Sequence, residues 1–348
     1  MASPCFNIAN RRYTGAKTKI LNEIGAVIAS IPSLEKQKNK VFFDVFAGTG
    51  VVSEFFIRQN SFTHFILNDF LHANHAIYQA FLSQEPFNQA LLNSLHDRYN
   101  ALDHLEDNYY SKHFGGKFFS LLDAQKIGFI RSDIDRLRHT HAITQKEFYI
   151  LLASLLFSVD KIANTVGHYD AYRKNTPPQD RFKFVPIQPI QTPHIIDIRQ
   201  MDANTLAKNL DIPIAIAFID PPYNSRQYSR FYHLLETLAK NNQPKLYGQA
   251  LKPQPENMSA YCKVEAKIAF KNLVQALAPK TKALVVTYNN TYTSKSNSSQ
   301  NKITLQEIST ILQSCGKLTT HEFPFKAFSA GKTEFEAHKE YIFVCEVK

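Results

Sequence analysis

The sequence predicts an α/β protein built on an open, mostly parallel sheet, and three observations carry that expectation. Residues 214–219 (Ile-Ala-Ile-Ala-Phe-Ile) are continuously apolar, the pattern of a strand covered on both faces, and run straight into Asp220-Pro221-Pro222-Tyr223. Upstream, an apolar strand from Val41 enters the turn Gly48-Thr49-Gly50, and a helix over 51–59 follows. Strands at 63–68, 195–198 and 283–288 alternate with helical patterns, and two final strands, 318–325 and 341–347, predict an antiparallel hairpin closing the sheet.

The bulk composition narrows the classes. A chain of 348 residues with 44% hydrophobic content is globular and large enough for a substantial core. Its formal charge of +10 points to a polyanionic partner, such as nucleic acid, without specifying a fold. No apolar run approaches the ~20 residues a membrane helix needs. Residues 1–12 are polar, carry Arg11-Arg12 and lack the apolar core of a signal peptide. Cys5, Cys262, Cys315 and Cys345 are far apart with no CxxC, which argues against a zinc site or a disulfide framework. A reduced, cytoplasmic protein without a bound metal is the expectation.

Taken in order, the chain opens with Arg-Arg-Tyr-Thr-Gly-Ala-Lys-Thr (11–18) before an amphipathic helix bearing Ile20, Leu21, Ile24, Val27 and Ile28, with Lys17 at its start. The glycine turn at 48–50 lets backbone approach a ligand closely. It lacks the third glycine of the dinucleotide fingerprint, with Ser53 after Val51-Val52, and so favours a nucleoside ligand without a pyrophosphate. Asp69 follows Gly50 by 19 residues, a spacing suited to holding ribose hydroxyls, although a helix cap for 71–82 would use the same residue. His72 and His75 read as surface residues rather than metal ligands.

From 83 to 194 the α/β rhythm stops. This insert interleaves Tyr, Phe and His with basic residues, holds one strongly apolar helix (148–159), and continues through Asn164-Thr-Val-Gly-His168-Tyr169-Asp-Ala-Tyr-Arg173-Lys174 into a proline-punctuated stretch. Such interleaving suits phosphate contacts and base readout, and equally a solvated basic subdomain. Asp202 precedes Asp220 by 18 residues at the next strand end, placing it to bind an adenine amino group or to cap a helix. Arg226 and Arg230 follow Tyr223 as candidate phosphate contacts, and the polar stretch 289–302, with Lys295, reads as a surface loop or a DNA-contacting one.

The 220–223 loop carries the chemistry. Two prolines fix φ and give no N–H to a sheet, so the strand ends there. What remains at the ligand-binding edge is a carboxylate, a backbone carbonyl and an aromatic ring. An exocyclic amine on a nucleobase is a poor nucleophile because its lone pair is delocalised. Asp220 and the Pro221 carbonyl are suited to accept its two N–H bonds, with Tyr223 stacking on the base. The plain alternative is a Pro-Pro turn whose Asp caps the following helix.

Tyr13-Thr-Gly-Ala-Lys17, Phe46-Ala-Gly48-Thr-Gly50, Asp69, Asp202 and Asp220-Pro221-Pro222-Tyr223, in this order around a long insert, resemble the D12-class adenine-specific DNA methyltransferases of restriction–modification systems, in the alpha motif arrangement. The resemblance implies a Rossmann-like S-adenosylmethionine-dependent methyltransferase sheet over 1–82 and 195–348. It also implies a mostly helical target-recognition domain inserted at 83–194. It implies a cofactor held by Tyr13, Lys17, Asp44, Phe46, Gly48, Gly50, Asp69, Asp202 and Asp220, with Lys17 closing over its methionine end. The target adenine in double-stranded DNA would be flipped out and methylated at N6 by the 220–223 loop. DNA contacts would come from Arg226, Arg230, His168, Tyr169, Arg173, Lys174 and Lys295. The protein would be a monomer or weak dimer, paired functionally with a separate restriction endonuclease. Adenine methylation of RNA uses the same trio. A non-catalytic DNA-binding protein with a relic cofactor fold is the alternative outside enzymes.

Overall fold

The computed structural model describes residues 5–34, 40–291, 300–324 and 338–348. The chain divides into two compact units: a sheet unit of Gly15–Phe70, Pro193–Gln227 and Asn257–Lys348, and a helical unit of Met1–Thr14, Leu71–Thr192 and Tyr228–Glu256. The helical unit covers 83–192 of the expected 83–194 insert, together with Met1–Thr14, the helix His72–Leu82 and Tyr228–Glu256, which the sequence places with the sheet.

The sheet unit holds seven strands: β1 Val41–Asp44, β2 His64–Asn68, β3 Ile195–Arg199, β4 Ile214–Ile219, β5 Thr281–Asn289, β6 Gly316–Pro324 and β7 Lys339–Val347. Their spatial order is β3-β2-β1-β4-β5-β7-β6. The first five are parallel, and β7 runs antiparallel to both β5 and β6. This is the Rossmann-like sheet with an antiparallel C-terminal pair, in which β7 lies between β5 and β6. β4 is buried at all six positions, as its unbroken apolar run requires.

Alternation along β1 sends Phe42 and Phe43 to opposite faces. Phe42 joins an aromatic cluster with Phe56, Phe62, Phe65 and Phe218. Phe43 belongs to the other layer, where Ile66, Ala217, Leu284 and Phe343 meet Leu206, Phe270, Leu273 and Ile308. Each fully buried Phe or Leu contributes about 1.5–3 kcal/mol relative to exposure. Both faces are therefore sealed, and polar groups are left to the strand ends. Because β7 is antiparallel, its first residues come to the carboxyl ends of the parallel strands: Glu340 is registered against Asn289, the last residue of β5.

The helical unit contains His72–Leu82, Gln89–Asn100, Tyr109–Phe114, Leu121–His139, Gln145–Ile162, Tyr228–Phe231 and His233–Lys240. The apolar run at 148–159 sits in the fourth-turn interior of Gln145–Ile162, whose Thr144 and Glu147 form a capping box. The expected single helix over 231–240 is two, broken at Tyr232. Buried charges hold the helix ends. Glu236 accepts from the His72 and Ala73 amides at 3.0 and 2.8 Å, where the helix dipole favours an anion. Lys146, 1% exposed, donates to the Gln79, Ala80 and Ser83 carbonyls at the other end of the same helix. Burial lowers the Lys146 pKa to about 8. Arg131 likewise donates to the Leu238 and Ala239 carbonyls and pairs with Asp135. The expected cap of this helix by Asp69 is not made: its N-cap is Leu71, with no side-chain bond, and Glu236 takes the amides.

Replacing Glu236 by Ala is expected to lower unfolding free energy by about 1–3 kcal/mol, because two buried amides lose their acceptor. Urea denaturation followed by helical circular dichroism measures it. Glu236→Gln, which keeps an acceptor but loses the charge, is expected to cost less.

Candidate active site

Six strand ends converge at the carboxyl edge of the parallel sheet. Asp44 closes β1, Asn68-Asp69 closes β2, Met201-Asp202 follows β3, Asp220 follows β4, Thr287 lies near the end of β5 and Glu340 begins β7. Asn68 ties three of these ends together: its amide donates to the carbonyls of Val45 and Met201 at 3.2 and 3.1 Å, and its oxygen accepts from the Met201 N–H at 3.0 Å. Gly48 and Gly50 adopt φ of 56° and 80°, and Gly50 is the left-handed N-cap of Val51–Arg58, so the backbone turns here without a side chain in the way. The Gly48 N–H donates to Asp69 Oδ2 at 3.0 Å, which pins the turn to the end of β2.

The centre of the site is Lys17. Its ammonium is 5% exposed and donates to Asp220 Oδ1 at 2.8 Å, Glu340 Oε1 at 3.3 Å and the Gly15 carbonyl at 3.3 Å, which uses all three hydrogens. Burial works to lower its pKa, but Asp220 and Glu340 more than offset this and hold it above the ordinary lysine value. The Tyr223 hydroxyl lies 2.7 Å from Asp220 Oδ1 and 2.6 Å from Glu340 Oε1, and Thr287 donates to the same Asp220 oxygen at 2.7 Å. Burial, then Asp220 and Glu340, raise the Tyr223 pKa well above normal, so its hydroxyl stays a donor. Asp220 Oδ1 is thereby anchored by Lys17 and Thr287, and the single Tyr223 hydrogen lies between it and Glu340 Oε1. Among the described residues no hydrogen bond is made to its Oδ2 or to the Pro221 carbonyl.

Asp44 is the other unusual carboxyl. It is 1% exposed, and its Oδ2 accepts from the Ser53 hydroxyl at 2.7 Å, while Oδ1 is buried without a hydrogen-bond partner among the described residues. Burial raises its pKa to about 7 against the Ser53 bond, helped by Asp220 and Asp69. The edge is thus rich in carboxylates, with an unsatisfied acceptor at its floor, a setting for a cationic ligand.

With this geometry in view, comparison with known proteins is decisive. The family model of the D12 class N6 adenine-specific DNA methyltransferases matches residues 13–311. The chain belongs to that family. It is 30% identical to the type II methyltransferase M.FokI of Planomicrobium okeanokoites, across 95% of this chain and 52% of that protein. It is 28% identical to the type II methyltransferase M.NlaIII of Neisseria lactamica, across 96% of this chain and 98% of that one. Modification methylase LlaI of Lactococcus lactis subsp. lactis is 31% identical across 76% of this chain and 44% of its own. The chain therefore spans about half the length of M.FokI and LlaI and nearly all of M.NlaIII.

For this D12-class methyltransferase, the residues expected from sequence are distributed unevenly. Lys17, Asp44, Gly48, Gly50, Asp69, Asp220 and Tyr223 lie along the sheet edge just described. Phe46 packs edge-on against Tyr261 (4.9 Å, 77°). Asp202 caps Ala203–Asn209, with Oδ1 accepting from the Thr205 N–H at 2.9 Å and the Thr205 hydroxyl at 3.0 Å. Lys17 sits with its ammonium on Asp220, Glu340 and the Gly15 carbonyl. Tyr223 offers no free sandwich: its ring meets Tyr288 (4.4 Å, 48°), and the Lys17 ammonium lies 4.9 Å from its centroid.

Tyr13 belongs to the helical unit, where it stacks on Tyr228 and Tyr232 (5.2 and 4.8 Å). Tyr169 is 1% exposed and donates to Asp160, so it is a core residue rather than a surface contact. His168 stacks on Phe231 at 4.7 Å. Arg230, half-buried, donates to the Pro253 carbonyl of its own unit. Arg226 and Pro222 are half-buried, Arg173 and Lys174 are exposed, and Lys295 lies outside the described residues. Glu340 and Thr287 are the site residues that sequence reasoning missed. The available signal was a lone Glu at the head of the apolar strand Tyr341–Val347. Its meaning depends on that strand running antiparallel. Among the described residues no group of three or more His, Cys, Asp or Glu side chains is placed to hold a metal ion, and no helix is long and apolar enough to cross a membrane.

The pH dependence of stability tests Asp44. A carboxyl whose folded pKa is about 7 against an unfolded value of 3.8 stabilises the fold only while protonated. Its contribution is therefore present below about pH 4, falls as pH rises to about 7, and is flat above. Asp44→Asn is expected to remove that fall. The difference in urea stability between wild type and variant should shift by about 4 kcal/mol at most across this window, in favour of the variant at high pH.

Proposed function

We infer that the site transfers a methyl group from S-adenosylmethionine to the N6 amine of an adenine flipped out of double-stranded DNA. The observation that carries this reading is the state of Asp220: one oxygen fixed by Lys17 and Thr287, the other facing no donor, with the Pro221 carbonyl beside it in sequence. Two acceptors so placed suit the two N–H bonds of one amine. By accepting both they draw electron density onto the nitrogen and aim its lone pair. The anchored oxygen keeps the carboxylate from rotating as the amine arrives, so the reorganisation cost is met in folding rather than in the reaction. Asp220 also stands within hydrogen-bond reach of the proton that the nitrogen must shed.

The residues present fit the cofactor. The orphaned Asp44 Oδ1 is an acceptor for the cofactor's cationic end, the Phe46–Gly50 turn gives close backbone approach, and Asp69 and Asp202 supply carboxylates at neighbouring strand ends. When bound, S-adenosylmethionine supplies a methyl group made electrophilic by its sulfonium charge. The formal charge of +10 and the exposed Arg173 and Lys174 support a nucleic-acid substrate, which the helical unit would read. The relatives' names support a role as the protective partner of a type II restriction system. A cytoplasmic monomer or weak dimer is part of the same proposal.

Transfer of labelled methyl to mixed-sequence duplex DNA should yield N6-methyladenine. In Asp220→Ala the rate should fall by about a thousandfold or more. Methylation of RNA with unlabelled DNA would overturn the substrate class, and an unimpaired variant would overturn the role of Asp220.

A further inference from the structure

We propose that Glu340 is a specificity-determining residue that leaves the Lys17–Asp220–Glu340 cluster with one net negative charge and so makes the site prefer the sulfonium methyl donor over the neutral thioether left after transfer. The proposal rests on the cofactor reading above and deepens it. Product inhibition is the common difficulty of such a reaction, because donor and product differ by one methyl and one positive charge. A site that discriminates must read the charge.

Glu340 is placed to do so. It is 2% exposed, and its Oε1 lies 3.3 Å from the Lys17 ammonium and 2.6 Å from the Tyr223 hydroxyl, the two groups that also bind Asp220 Oδ1. Lys17 alone would neutralise Asp220. With Glu340 added, two carboxylates face one ammonium, and Tyr223 stays uncharged. The methyl must be delivered to an amine held on Asp220, so the donor's charge comes to rest beside the group that shares two hydrogen-bonding partners with Glu340. In a buried setting, a unit charge several ångströms away acts with little screening. Two carboxylates buried against one ammonium leave a residual negative charge that pairing Lys17 with Asp220 alone would not, and burying that charge costs desolvation.

The test measures binding of S-adenosylmethionine and S-adenosylhomocysteine to the full chain by calorimetry, without DNA, for wild type, Glu340→Gln and Glu340→Asp. Wild type is expected to bind the sulfonium compound more tightly. Glu340→Gln keeps an acceptor for Tyr223 but removes the charge, and should cut the ratio of the two affinities about tenfold, chiefly by weakening the sulfonium compound. Glu340→Asp, which keeps the charge, should retain most of the ratio even where both affinities drop. Equal weakening of both ligands in Glu340→Gln, or an unchanged ratio, would overturn the proposal and leave Glu340 a structural residue. Failure of wild type to bind either compound would instead overturn the cofactor reading, and the proposal with it.

Discussion

Lys17 is an ammonium group with almost no access to water, and it persists only because two carboxylates and a carbonyl face it. Removing a charge from water costs several kcal/mol, and one partner left without the other would be a buried uncompensated ion. The surrounding structure follows from meeting that constraint. Asp220 must sit at the end of β4, Glu340 must enter from the opposite strand direction, and Gly15 must turn with φ of 86° to bring its carbonyl back onto the lysine two residues on. Lys17 in turn helps hold the Asp220 carboxylate still, so folding and pre-organisation of the site share a contact.

How much of this could be read in the sequence depends on the range of the cause. β4 was legible to the residue, since a doubly covered strand is continuously apolar and Pro221-Pro222 cannot extend a sheet. The Gly48–Gly50 turn was legible because only glycine takes those φ values cheaply. The fold class followed from such local signals and holds. The split between units was less legible, because helix His72–Leu82 looks from its own sequence like the usual partner of β2. Glu236 and Lys146, distant in the chain, claim its two ends for the helical unit. Asp69 shows the same limit: spacing predicted a ligand contact or a cap, while the structure adds a bond to Gly48. Tyr169 looked like a nucleic-acid contact because composition does not distinguish an exposed aromatic residue from one satisfied internally.

The helical unit uses charge as a fastener. A single helix, His72–Leu82, carries a carboxylate at its amino end and an ammonium at its carboxyl end, each buried and each matched to the local sign of the helix dipole. Arg131 repeats the device at the end of His233–Lys240. The net positive charge of the chain is therefore not simply a coating, because some of its basic residues are internal, and the number available to a polyanion is smaller than composition implies.

The position of β7 bears on the order in which the protein comes into being. Among the described residues β6 pairs only with β7, and β7 slots between β6 and β5. A nascent chain that has delivered β6 has no place to lay it, and Lys17 and Asp220 wait without Glu340. The Asp-Pro-Pro-Tyr loop is made early, yet its charge complement arrives with the last strand of the sheet. Long-range pairing of this kind is slow to form. A truncated or half-made molecule would carry the motif without the completed site, so competence for chemistry is coupled to the closing of the fold.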